Sequence, residues 1–272
     1  MQEENYIIID GSYYAFYRYY ALIRWWSKSH PDEELGDPAL NSVFVEKFRK
    51  MFVDKLKEIA KKLKVKNAIM IAAKDCKREK IWRNELKDHN GVGVIESYKL
   101  GRNIDEDEFM GGPFFKMVYD EGLFQKGGVN YILHHLRLEA DDCIALFVKY
   151  SLVNHPNSKA WIIASDKDFL QLVKPNVKVF DLKYKEIALN KSSHNNPAMD
   201  LFCKIVMGDA SDNIPSVLKK CGPVTALKCY QNKEYFEKRL KDEDAYEKYE
   251  LNRKLIDFDY IPENYKKEFL EI

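Results

Sequence analysis

The stretch from Glu139 to Asp168 restricts the fold of this chain more than any other. It opens with Glu139-Ala140-Asp141-Asp142 and closes with Ser165-Asp166-Lys167-Asp168. Between them lie a helix-like apolar run (Ile144, Ala145, Phe147, Val148), a turn-like gap from Asn154 to Ser158, and the buried-strand signature Trp161-Ile162-Ile163-Ala164. Five acids therefore stand at the start of a helix and the end of a strand. An α/β unit that folds back on itself brings those two ends together. Gathered carboxylates repel, and two like charges ~5 Å apart at an effective dielectric of ~20 cost about 3 kcal/mol. Bound cations or protonation relieve that cost. An all-oxygen cluster suits Mg²⁺ or Mn²⁺.

The strand-then-acid grammar occurs twice more. Tyr6-Ile7-Ile8-Ile9 ends at Asp10, and Asn67-Ala68-Ile69-Met70-Ile71-Ala72 leads to Asp75. In open parallel sheets, ligands bind just beyond the C-terminal strand ends, so three such acids argue against chance turn residues. Val129 to Leu138 reads as a strand-to-helix passage, and Val177 to Phe180 as a further strand. Tyr13 to Trp26 is aromatic and belongs mostly to the core. Asn41 or Ser42 can cap a long helix in which Phe44, Phe48, Phe52, Leu56, Ile59 and Leu63 recur at helical spacing. Alternating strands and helices imply an α/β domain with a mostly parallel central sheet flanked by helices. With 272 residues, 46% of them hydrophobic, the chain can bury one large core or two.

From Cys76 to Arg102 the chain turns basic, with Lys77, Arg78, Lys80, Arg83, Lys87, Lys99 and Arg102 interleaved with Trp82 and Tyr98. Such a mixture tracks phosphates and stacks on bases. The competing reading is a solvated helix with Trp82 turned inward. Glycines at 91, 93, 101, 111 and 112 and the acidic run Asp105 to Glu108 suggest a loop-like arch or lid as far as Val118. Asn190 to Pro197 reads as a linker, and the remainder as helical. Leu201 to Met207 runs into Gly208-Asp209-Ala210-Ser211-Asp212-Asn213-Ile214-Pro215, which adds two acids. Lys219, Lys220 and Cys221-Gly222-Pro223 then precede a helix that begins near Thr225. A glycine-containing loop between helices offers N–H groups to phosphates. The segment from Leu255 to Pro262 reads as helix followed by extended chain.

The net charge of +1 hides 32% charged residues, as an acidic pocket beside a basic face would. Cys76, Cys143, Cys203, Cys221 and Cys229 form no CxxC pair, which argues against a zinc site or disulfide framework and for a reducing, intracellular setting. Tyr6 to Asp10 is too short for a signal peptide core or a membrane span.

Taken in order, Asp10, Asp75, the Glu-Ala-Asp-Asp of 139–142, the Ser-Asp-Lys-Asp of 165–168 and the Gly-Asp-Ala-Ser-Asp-Asn-Ile-Pro of 208–215 resemble the 5′-nuclease superfamily of flap endonucleases and 5′→3′ exonucleases. The tail Leu255-Ile256-Asp257-Phe258-Asp259-Tyr260-Ile261-Pro262 is similar to the branch formed by the RNases H of T-even bacteriophages. The resemblance implies a PIN-like catalytic domain over 1–190, its arch at about 76–117, and a smaller helical DNA-binding domain over 191–272. It implies two Mg²⁺ ions, replaceable by Mn²⁺: one on Asp10, Asp75, Glu139 and Asp141 with Asp142 nearby, the other on Asp166, Asp168, Asp209 and Asp212. Residues 208–226 would form a helix–three-turn–helix, which in relatives also holds K⁺. Here its Gly-Ile-Gly-Pro-Lys-Thr-Ala pattern is replaced by Lys220-Cys221-Gly222-Pro223-Val224-Thr225-Ala226.

Tyr98-Lys99-Leu100-Gly101-Arg102 is similar to an arch motif that sets Lys99 beside the scissile phosphate and Tyr98 on the terminal base. Arg83 and Arg102 join Lys99 and Tyr98 as catalytic candidates. Lys77, Arg78, Lys80, Trp82, Lys219, Lys220, Gly222 and Thr225 are the nucleic-acid-binding candidates. The implied activity is cleavage of RNA primers and 5′ flaps in duplex DNA or RNA–DNA hybrid during replication or repair. It would be carried out by a cytoplasmic monomer, in the host cell if the source is a phage, with a single-strand-binding protein or sliding clamp as partner. Three other readings remain in view: a catalytically silent DNA-junction binder, a PIN-type ribonuclease, and an aspartyl-phosphate phosphotransferase, which would want a second acid two residues after Asp10.

Overall fold

The strand-plus-acid segments lie side by side. The computed structural model describes residues 4–86, 98–99 and 109–271. Its sheet has five parallel strands in the order β3-β2-β1-β4-β5: β1 Asn5–Asp10, β2 Ala68–Ala73, β3 Tyr131–Leu133, β4 Lys159–Ile163 and β5 Val177–Phe180. Asp10 pairs in register with Ala73, and Ile9 with Ile163. From central β1 the chain order runs outward through β2 to β3 on one side and through β4 to β5 on the other. Connections that leave in opposite directions open a crevice at the strand C-termini, here between β1 and β4. Asp10 ends β1 at that crevice, and Asp166 follows β4 there.

Alternation along β1 sends Ile7 and Ile9 to one face and Ile8 to the other. Helices α1 (Gly11–Ser29), α2 (Ser42–Leu63), α3 (Gly112–Asp120) and α4 (Leu123–Lys126) cover the first face, and α5 (Ala140–Asn154) the second. The Asn41 side chain accepts from Phe44 N and starts α2, which buries Phe44, Phe48, Phe52, Leu56 and Ile59. At about 1.5–3 kcal/mol per fully buried large side chain, this stripe anchors α2 and leaves its lysines to solvent. Gly11 is needed where α1 begins: a Cβ there would lie 2.5 Å from the Ala73 carbonyl and 2.6 Å from the Tyr119 hydroxyl.

Four further helices follow: α6 (Pro197–Met207), α7 (Pro223–Gln231), α8 (Lys233–Asp242) and α9 (Tyr246–Ile256). They share an apolar cluster that includes Val206, Val217, Leu218, Phe236 and Leu240. Asn252 of α9 donates to the carbonyls of Ile205 (3.0 Å) and Pro215 (2.9 Å), which ties this unit together. The chain then returns. Phe258, Ile261 and Phe269 of α10 and its approach (α10, Glu263–Leu270) join the apolar layer beneath the sheet.

Two local expectations are corrected. The segment up to Val118 is not all loop: Phe114 and Val118, one turn apart, bury against the α1–α2 aromatic layer and make Gly112–Asp120 helical. Between Ile256 and Pro262 the chain is not extended: Phe258–Tyr260 makes a tight 3-10 turn, because Phe258 and Ile261 bury in the layer beneath the sheet. The described cysteines are free thiols. Among the described residues no helix is long and apolar enough to cross a membrane.

Candidate metal centre

Asp10 caps α1 by accepting from Tyr13 N at 2.9 Å. Asp75 accepts from Ala140 N at 2.8 Å and from Ser12 Oγ at 2.5 Å, and so ties the start of α5 to the start of α1. Asp141 lies in the first turn of α5. These acids feel one another. Burial, then Asp75 and Asp166, push the Asp10 carboxyl up to about 7. Burial, then Asp10 and Asp166, push Asp141 well above the usual carboxylate range. Asp10, Asp75, Asp141 and Asp166 therefore form one inner set of mutually repelling carboxylates at the sheet's switch point.

An outer set is built around a lysine. Lys204, on α6, forms an ion pair with Asp168 and reaches Asp209 Oδ2 at 2.9 Å and Asp166 Oδ1 at 3.5 Å. Burial raises Asp168 to about 7 even though Lys204 works against it. Burial also opposes ionisation of Asp209, but Lys204 and Ser211 outweigh it and hold that carboxyl at about 2. Gly208, with φ of +73°, lets α6 end close to the Ile214–Pro215 backbone and so places Asp209.

A third arrangement surrounds Glu139. It is buried, yet Lys99 and Arg83 hold its carboxyl at about 2. Arg83 donates to Glu139 Oε2 at 2.9 Å, to both Asp142 oxygens at 2.8 Å, and to the Leu255 carbonyl at 2.8 Å. Trp82 Nε1 donates to Asp142 at 2.9 Å and Tyr98 Oη to Glu139 at 3.1 Å. Lys99 pairs with Glu139, its backbone N–H donates to the Asp212 carbonyl at 2.9 Å, and its ammonium lies 3.9 Å from Asp212 Oδ2.

Several expectations change here. Arg83 is 3% exposed and its guanidinium is spent on Asp142, Glu139 and Leu255, so it does not face a phosphate. Asp142 is fully buried beneath Arg83 and Trp82, and is a structural counter-ion rather than a metal ligand. Trp82 is buried and cannot stack on a base, and Tyr98 is buried with its hydroxyl on Glu139 instead of a terminal base. An unpaired buried charge at Arg83, Asp142 or Glu139 would cost several kcal/mol, so the chain pairs them with one another and with the Trp82 and Tyr98 donors. Lys77, Arg78 and Lys80 are exposed, with Arg78 bonded to the Lys99 carbonyl. Lys219, Lys220 and Gly222 are exposed before α7 and Thr225 is half-buried. Arg102 and the arch residues between 87 and 108, Tyr98 and Lys99 apart, lie outside the described residues.

Ser12, Lys204 and Tyr119 also reach this centre, although no local sequence pattern marks Ser12 or Tyr119. A single lysine within the apolar run Leu201 to Met207 was the available signal for Lys204. Tyr119 brings a buried hydroxyl without a hydrogen-bond partner against Gly11, beside Asp10 and Asp75.

Among the described residues, no three acids, histidines or cysteines stand close enough to enclose one ion. Two ammonium groups, of Lys99 and Lys204, stand among the carboxylates instead. The donor set nevertheless fits hard divalent cations: it is all oxygen, its inner members repel one another, and its outer members already gather around a cation. This has a measurable consequence. Carboxyls raised in the folded state bind protons more tightly than in the unfolded chain, so their contribution to stability falls as pH rises from about 4 to about 7. Glu139 and Asp209, held at about 2, act in the opposite sense and lose their contribution only below about pH 4. In EDTA the melting temperature should drop between pH 5 and 7.5, and saturating Mg²⁺ or Mn²⁺ should remove most of the drop. Equal pH profiles with and without metal would show that the acids do not share a cation site.

Residues 5–198 match the family model described as "5′-3′ exonuclease, N-terminal resolvase-like domain", and residues 223–272 the one described as "T4 RNase H, C terminal". The chain is 37% identical over 144 residues to the ribonuclease H of Enterobacteria phage T4, an alignment covering 47% of this chain and 46% of that protein. Thus the match spans about half of that relative's length. It is 30% identical over 227 residues to the 5′-3′ exonuclease of Buchnera aphidicola subsp. Acyrthosiphon pisum, covering 81% of this chain and 68% of that one. Among solved structures, the phage T5 flap endonuclease in a pseudo-enzyme–product complex with DNA and metal ions superposes with a TM-score of 0.66 at 18% identity, covering 98% of this chain and 97% of that one.

Proposed function

We infer that this chain, which belongs to the 5′-3′ exonuclease family, is a divalent-metal-dependent phosphodiester hydrolase acting at 5′ ends and 5′ flaps of duplex DNA and on RNA primers paired to DNA. The observation that carries this reading is the convergence of Asp10, Asp75, Asp141 and Asp166 at one crevice, with Lys99 held beside Glu139 at its edge. When bound, Mg²⁺ (or Mn²⁺ in its place) supplies a Lewis acid for the phosphate and an activated water.

Asp10, Asp75 and Asp141 would hold one ion, with Glu139 beside it, and Asp166, Asp168 and Asp209 the second, while Asp212, the fourth acid expected there, faces Lys99. Ser12 and the Ala140 N–H keep the Asp75 carboxylate turned into the crevice. Lys99 can exchange Glu139 for a substrate phosphate and neutralise charge that develops on it, a role worth about 10²–10³-fold in comparable donors. Its ammonium lies 5.2 Å from the Tyr98 ring centroid, and Tyr98 is itself fixed on Glu139, so the exchange starts from a set position. Asp212 turns toward Lys99 and steadies it from the α6–α7 side. Exposed Lys219 and Lys220 and the Gly222 N–H, ahead of α7, would grip duplex phosphates, and a K⁺ ion in that loop belongs to the same proposal. Lys77, Arg78 and Lys80 would follow the departing strand.

The same reading carries a catalytic unit over 1–190 and a DNA-gripping helical unit over 191–272, working as a cytoplasmic monomer with a single-strand-binding protein or sliding clamp. Product mapping on 5′-labelled flap, nicked and RNA-primed duplexes, in Mg²⁺ and in EDTA, tests it. Short 5′-phosphorylated products in Mg²⁺ alone are expected. Tight junction binding without cleavage would move the assignment to a silent binder, and cleavage confined to free RNA to a ribonuclease.

A further inference from the structure

We propose that Lys204 is the resting counter-ion of the outer carboxylates, and that it hands them to a divalent cation when a nucleic-acid phosphate draws its ammonium away. Three observations support this. The ammonium touches Asp168 and lies 2.9 Å from Asp209 and 3.5 Å from Asp166, so one side-chain cation answers three carboxylates that do not by themselves close around an ion. The Lys204 side chain is only 16% exposed, so α6 commits it to the acids rather than to solvent.

A cavity of about 240 Å³ also opens beside it, lined by Lys167, Ser192, His194, Gly208 and Asp209 among others. Lys204 stands on the boundary between that cavity and the outer acids. A phosphate entering there meets Lys167 and Lys204. His194, bonded to Asp200 (2.8 Å), keeps that carboxylate of the cavity lining occupied.

An ammonium and a divalent ion cannot share these oxygens without repelling each other. The second ion and the nucleic acid should therefore bind cooperatively, each tightening the other. An empty enzyme would then hold its outer site closed, which limits adventitious cleavage by a half-assembled centre.

The proposal rests on the nuclease reading only for the identity of the cation, so its test uses binding instead of turnover. Mn²⁺ binding to the whole protein would be followed by electron paramagnetic resonance of the free ion, with and without a nuclease-resistant phosphorothioate flap duplex. Wild-type protein should bind its second Mn²⁺ weakly alone, and at least about 10-fold more tightly with the duplex, within the 5–150-fold usual for coupled sites. Lys204→Met should bind the second ion tightly without duplex and gain less than about 2-fold from it, since the coupling has been removed. Lys204→Arg keeps the charge and should keep the coupling.

The proposal is overturned if duplex leaves the wild-type second-ion affinity unchanged, or if a folded Lys204→Met binds that ion no more tightly than wild type. The wild-type arm decides the matter even where the variant does not fold. Cooperative Mn²⁺ uptake in a protein that cleaves nothing would sink the nuclease reading and leave this exchange standing.

Discussion

Asp141→Asn is expected to lower Mg²⁺-dependent cleavage by at least about 10³-fold while duplex binding stays the same or tightens slightly. The substitution keeps the shape of the side chain and removes one charge from the inner set. Ionised Asp141 is disfavoured by burial first and then by Asp10 and Asp166. A neutral amide is a poor ligand for a hard cation, yet it relieves that repulsion. The variant should therefore melt higher than wild type in EDTA at pH 7.5, and gain less from added Mg²⁺. These two shifts in opposite directions separate loss of a metal ligand from simple misfolding. Wild-type turnover, or a metal-induced rise in melting temperature equal to that of wild type, would remove Asp141 from the site.

Arg83→Met should destabilise the fold by about 3–5 kcal/mol, because it leaves Asp142 and Glu139 buried with too few partners. For a chain of this size that is a fall in melting temperature of roughly 10 °C. Arg83→Lys should recover only part of it, since one ammonium cannot span Asp142, Glu139 and the Leu255 carbonyl as a planar guanidinium does. Weaker metal binding should accompany the loss, because Glu139 is also an anchor for Lys99 and Tyr98. A variant that melts within a degree or two of wild type but loses turnover would restore the expectation that Arg83 faces the phosphate.

The contrast between Arg83 and Asp75 shows how far residue order can be read. Asp75 was recognisable because its surroundings are local in pattern: an apolar run, then an acid past the strand tip. Its place beside Asp10 follows once the two strands pair in parallel register. The basic run around Arg83 looked like a nucleic-acid surface because charge and aromaticity were interleaved there. Folding divided that run. Lys77, Arg78 and Lys80 stayed outside, while Trp82 and Arg83 turned inward onto Asp142. A sequence pattern reports composition on a segment, and burial distributes that segment between two environments. The α3 helix makes the same point: its glycine-rich approach hid two residues, Phe114 and Val118, that the α1–α2 layer needed.

What the order of residues determined alone was the set of elements whose causes are short-ranged. These are the strands that end in acids, the Asn41 cap and the apolar stripe of α2. Each depends on neighbours within a few positions, through dihedral preference, hydrogen bonding or helical period. The tertiary structure alone decided which cation answers which carboxylate. Arg83 reaches Glu139 across 56 residues, Lys99 reaches it across 40, and Lys204 reaches Asp166 across 38. Coulomb energy depends on distance through space and on how much water burial has removed, and neither quantity exists until the sheet and helices have closed around the acids.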